Sequence, residues 1–248
     1  MAARPRITVI AALATIVVLA WAYLFHLARD MSGMRASEMA LSGNMIWTPI
    51  DFIMMFLMWA VMMVGMMIPS AMPAIVIFDK WNMSRKTDGQ SFGTTGLFTA
   101  GYIIAWVIFS LFATLSQWAL DQSGWLDPMM ESKSPYLGAI LLISAGLYQL
   151  TPYKDVCLTH CQSPIEFIGK HWKPGGIEAF KLGVRHGIYC IGCCWLIMGL
   201  LFFFGVMNLI WIFILGLFVL LEKLVIFNQW INGAVSGILI TSGIILLI

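Results

Sequence analysis

Long, unbroken apolar runs separated by short polar stretches dominate this chain. They fall near residues 7–28, 50–78, 95–118, 136–151, 182–204, 206–226 and 231–248. A helix needs about 20 apolar residues to cross the hydrocarbon core of a bilayer. The pattern therefore predicts an all-α, polytopic transmembrane bundle of about seven spans, within a range of six to eight. The runs are continuous rather than alternating, which excludes a lipid-facing β-barrel. The first run follows Arg4 and Arg6 as a signal peptide would, yet exceeds the roughly 7–15 apolar residues of a cleaved segment. It reads as a retained span. No repeat or low-complexity stretch divides the chain, so residues 1–248 are expected to form one integral membrane domain. Its longest connection, 152–181, is expected to be a cytoplasmic loop.

Composition sharpens this picture. Hydrophobic residues make up 60% of the chain and charged ones only 10%, against about 25% charged in a soluble domain. A soluble enzyme, a disordered chain and a secreted disulfide scaffold are excluded together. The net charge of +2 gives no support for nucleic acid as a partner. Where the charges sit matters more. With a cytoplasmic N-terminus, one side carries Arg4, Arg6, Lys80, Arg85, Lys86, Lys154, Lys170, Lys173, Lys181, Arg185 and Lys223. The other carries Arg29, Arg35 and Lys133. Eleven against three is a strong positive-inside bias, and a bacterial inner membrane is the expected location. On this reading Lys154 is a topology anchor, and Glu222 with Lys223 is a locally neutralised helix end. Gly183 with Gly187, and Gly233 with Gly237, are small-residue pairs expected to let helices pack closely.

The candidate chemistry begins with methionine. Nine of the 18 methionines lie between Met45 and Met72. Met54, Met58, Met62 and Met66 are spaced by four, as are Met63 and Met67. A helix stacks such residues on one face, about 6 Å apart. Thioethers are soft, neutral ligands suited to Cu(I), and a neutral row avoids placing charge in the bilayer. Methionine also fills irregular cores, and packing is the rival reading. Pro69 and Pro73 are expected to break this helix near its cytoplasmic end, with Asp51 at its outer end.

All five cysteines fall in the second half of the chain. Cys157 and Cys161 flank His160 with a spacing of one helical turn. His186, Cys190, Cys193 and Cys194 fall within roughly a 100° arc over about 12 Å of helix. One face would then present an imidazole and three thiols. A reducing cytoplasmic side argues against structural disulfides. Thiolate with imidazole admits zinc as well as copper, but neither cluster has zinc-finger spacing, and the haem attachment motif is absent. The methionine row favours Cu(I).

Three segments carry a family resemblance: Met58-Trp-Ala-Val-Met62-Met63-Val-Gly-Met66-Met67-Ile-Pro69-Ser70, then Tyr148 through Cys161, then His186-Gly-Ile-Tyr-Cys190-Ile-Gly-Cys193-Cys194-Trp195. From about Trp47 onward the chain resembles a bacterial family described only as a predicted metal-binding integral membrane protein. The resemblance implies metal and membrane without supplying a reaction. Members often carry a basic residue where Gln162 stands here, so an anion site at that point has no support. The stacked Met-x-x-x-Met spacing is also similar to that of eukaryotic copper uptake transporters, over one helix.

The expected function is binding and transfer of Cu(I), by transport or by delivery to a partner, with zinc as the alternative metal. The methionine face of Met58, Met62, Met63, Met66 and Met67 would be the low-affinity route. Cys157, Cys161, Cys190, Cys193 and Cys194, with His160 and His186, would form the high-affinity site. Expected partners are the lipid bilayer, a metal chaperone or metalloenzyme, and a second copy of the chain. No enzymatic grammar appears: there is no Walker loop, nucleotide fingerprint or Ser-His-Asp set. Two rival readings are a membrane thiol–disulfide oxidoreductase exchanging Cys157/Cys161 with Cys193/Cys194, and a scaffold subunit whose cysteines merely pack.

Overall fold

A computed structural model describes residues 3–33, 47–84, 91–126, 134–224 and 229–248. Met45, Arg35, Arg85, Lys86 and Lys133 lie outside the described residues. Among the described residues each apolar run is mainly helical: α1 (Ala3–Gly33), α2 (Pro49–Ser84), α3 (Ser91–Gln122), α4 (Pro135–Gln149), α7 (Gly176–Gly199), α9 (Leu209–Leu224) and α10 (Gln229–Ile245). Among the described residues, four helical stretches are long and apolar enough to cross a membrane: Ile7–Asp30, Pro49–Ser84, Thr95–Gln122 and Gly176–Phe204. The last joins α7 to a single turn, α8 (Leu201–Phe204). The remaining helices, α4, α9 and α10, have 15, 16 and 17 residues, short of the roughly 20 that a full crossing takes.

The connection 152–181 is not a loop. It folds into α5 (Pro152–Gln162), α6 (Pro164–His171) and the first turns of α7. Pro152 and Pro164 supply the preset φ and missing N–H that suit a first helical position. Thr151 caps α5 by accepting the Lys154 backbone N–H at 3.4 Å. These starts matter because α5 carries Cys157 and Cys161 onto α7.

Pro69 and Pro73 do not break α2, which runs continuously past both. A proline leaves the carbonyl four residues earlier without its donor, here those of Gly65 and Pro69. Packing supports the helix through this point: α1, α3 and α9 all contact α2.

Small residues set the closest approach in the bundle. A Cβ added at Gly183 would lie 2.0 Å from the Phe98 carbonyl oxygen, and one at Gly101 would lie 2.2 Å from that of Phe180. Gly187 meets Tyr102 and Ala105 in the same seam. The α3–α7 pairing is therefore a glycine-lined contact, as expected of Gly183 and Gly187. Gly233 and Gly237 are different. A Cβ at either would meet nothing within 4 Å, and α10 instead packs on α4 through Gly243 and Gly146. The small-xxx-small spacing was present on the wrong face.

Candidate metal centre

The methionine face of α2 points inward. Met58, Met62, Met63, Met66 and Met67 are all buried, whereas Met54, one turn nearer the start, is exposed. Trp59 is buried beside them and donates to Gln117 Oε1 at 2.5 Å. Met66 packs against Gly216 of α9, where the missing side chain leaves room for the thioether arm.

The thiols of α7 lie on the buried face that their spacing predicts. Cys190, Cys193, Cys194 and His186 are all buried. The Cys193 and Cys194 thiols turn back to donate to the Cys190 carbonyl, at 3.0 and 2.9 Å. The Tyr102 hydroxyl lies 3.0 Å from Cys190 Sγ and 3.1 Å from the Met67 carbonyl oxygen. This one hydroxyl links the last buried methionine turn of α2 to the first cysteine of α7.

Cys161 reaches this group from α5. Hydrogen bonds with Cys190 and Cys193, reinforced by burial, hold its thiol well above the ordinary range. Cys157 sits farther out, on Gly192. A Cβ there would lie 2.8 Å from its sulfur, so the glycine is what lets α5 approach α7. Burial, with Cys193 as a second influence, raises the Cys157 thiol too. All five cysteines are free.

The two histidines part company. His186 lies among the rings of Phe98, Tyr102 and Phe167, and its Nδ1 has no hydrogen-bond partner among the described residues. A buried ring nitrogen without a partner is rare and keeps a ligating position open. His160 has other partners. It stacks on Tyr189 at 4.2 Å, bonds Val156 through Nδ1, and lines a cavity of about 120 Å³ with Glu166, Lys170 and His171.

Two buried lysines complete the centre, and their roles differ from the sequence expectation. Lys154 is no surface anchor. It is buried, paired with the Glu222 carboxylate and hydrogen-bonded to Gln149. The direct ion pair of Glu222 is with Lys154, not with Lys223. Lys223 Nζ instead donates to Cys190 Sγ at 2.7 Å and to Ser70 Oγ at 3.1 Å. Sequence reasoning missed Lys223, Ser70 and Tyr102. The available signal was the lone Glu222-Lys223 pair ending an otherwise apolar run, since ionisable residues in such segments mark functional positions by default.

Among the described residues, no three His, Cys, Asp or Glu side chains are set as a ready-made metal site. The hydrogen bonds explain why: two thiols address a backbone carbonyl and the third addresses Lys223. The sulfurs of Cys190, Cys193 and Cys194 are thus engaged by protein partners in this arrangement.

The profile of a copper chaperone family, PpoB2, matches residues 56–246. The chain belongs to this family. Its function is therefore copper-related, and the match covers the buried methionines from Met58 to Met67, both cysteine clusters and the buried lysines. No curated protein and no solved structure matches the chain.

Proposed function

We propose that this protein is a membrane-embedded Cu(I) chaperone that takes the ion along the methionine face of α2 and holds it at the thiols of α5 and α7. Copper is its cargo. Met58, Met62, Met63, Met66 and Met67 supply weak neutral sites. Cys161, Cys190, Cys193 and Cys194, with His186, supply the stronger one, and Cys157 stands at its edge toward Gly192. His160 belongs to the outer cavity instead. The observation that carries this reading is the Tyr102 bridge, which brings the Met67 turn and the Cys190 sulfur together at one buried point. Thioethers and thiolates are the ligand classes that prefer Cu(I).

Orientation follows the positive-inside count. Lys154 and Lys223 are buried and make no topological argument, yet without them nine basic residues still oppose three. The N-terminus is then cytoplasmic; counting the short helices α4, α9 and α10 as crossings that a locally thinned bilayer accommodates gives seven, and the thiol centre then lies toward the cytoplasm. There the ion can pass to a metalloenzyme or a soluble carrier.

Metal analysis of anaerobically purified protein tests this. Wild type is expected to retain copper, and the Cys190/Cys193/Cys194→Ser triple variant to lose most of it. Equal copper in the two would eliminate the thiol site.

A further inference from the structure

The donor set leaves one question open. Thiols with an imidazole admit zinc as well as copper, so the ligand types alone do not settle which ion is held. Lys223 is placed to do so. Its side chain is buried, and its ammonium lies against Cys190 Sγ and Ser70 Oγ. Among the described residues it makes no ion pair with a carboxylate, since Glu222 pairs with Lys154. Lys223 is thus a fixed positive charge whose nearest acceptors are a sulfur ligand and a hydroxyl.

We propose that Lys223 restricts the thiol centre to a monovalent soft ion by keeping a tethered positive charge beside Cys190. This rests on the copper reading above and adds the residue that sets specificity. Two physical effects act together. Coulomb repulsion scales with the charge of the incoming ion, so a divalent cation meets twice the opposition of Cu(I), in surroundings that screen poorly. The ammonium also fills one side of the Cys190 sulfur. Zinc wants four ligands in a tetrahedron. A two- or three-coordinate Cu(I) can use Cys190 from another direction, together with Cys161, Cys193 or Cys194. Lys223 is a specificity-determining residue that touches the ligand, not the ion.

The test uses the full chain in detergent, purified anaerobically as wild type, Lys223→Met, Lys223→Gln and Lys223→Arg. Each is offered Cu(I), buffered by a competing chelator, and Zn(II), and the ratio of the two affinities is measured. Circular dichroism reports whether each variant keeps its helices. Wild type and Lys223→Arg are expected to favour Cu(I) strongly. In Lys223→Met and Lys223→Gln the ratio is expected to fall by about 100-fold through tighter zinc binding. A merely structural role would not move this ratio, nor let arginine restore it. Cu(I) bound by every protein with an unchanged ratio would overturn the selectivity role while leaving the copper reading intact. A wild type that binds no Cu(I) would overturn both.

Discussion

Two lysines, Lys154 on α5 and Lys223 on α9, are buried near the thiol centre and held by different partners. Lys154 has a carboxylate, Glu222, and an amide, Gln149. Lys223 has a sulfur and a hydroxyl. The division follows from helix geometry. Glu222 and Lys223 are neighbours in sequence, so their side chains leave α9 about 100° apart. One faces α5, and the other faces α2 and α7. The first lysine is thus a structural pair that ties α5 to α9. The second makes no direct ion pair with a carboxylate among the described residues, and its ammonium is directed at Cys190.

The largest effect expected from this contrast is on stability at Lys154. Breaking a buried pair strands the remaining charge and destabilises by about 3–5 kcal/mol. Lys154→Met should lower the unfolding midpoint accordingly, because Glu222 is left without its ion-pair partner. Lys154→Met/Glu222→Leu should recover most of the loss, since replacing both charges by apolar groups is often neutral. Unfolding in detergent, followed by circular dichroism, measures both. A double variant no more stable than the single one would show that the pair is not what matters there.

Lys223 should behave in the opposite sense. Removing it breaks no direct carboxylate ion pair and relieves the burial of a charge, while two hydrogen bonds are lost. Lys223→Met is therefore expected to remain within about 1 kcal/mol of wild type in the same unfolding measurement. A loss as large as that of Lys154→Met would make both lysines structural and erase the contrast.

Much of this centre was legible in the sequence. Periodicity placed Met58, Met62, Met63, Met66 and Met67 on a buried helix, and the arc of His186, Cys190, Cys193 and Cys194 on one buried face. Both are properties of a single helix. What depends on packing between helices was not legible. The Gly183 and Gly233 pairs have the same spacing, yet only the first meets a neighbour, because spacing does not say which face of a helix is covered. His160 shares a helix with Cys157 and Cys161 but turns to Tyr189, a choice made by α7. Lys154 and Lys223 looked like surface charges because their partners are 68 and 33 residues away in sequence.

The smallest expected effect isolates the bridge between the two sulfur sets. Tyr102→Phe keeps the ring that packs beside His186 and deletes only the hydroxyl between Met67 and Cys190. The loss of one hydrogen-bonding group should lower stability by about 1 kcal/mol, far less than Lys154→Met. Phenol is not a soft ligand, so Cu(I) affinity should stay at the wild-type value. Metal titration decides the point. Unchanged affinity would place Tyr102 as a brace that positions Cys190, whereas a large drop would put the hydroxyl in contact with the ion and make oxygen, as well as sulfur, part of the centre that Lys223 guards.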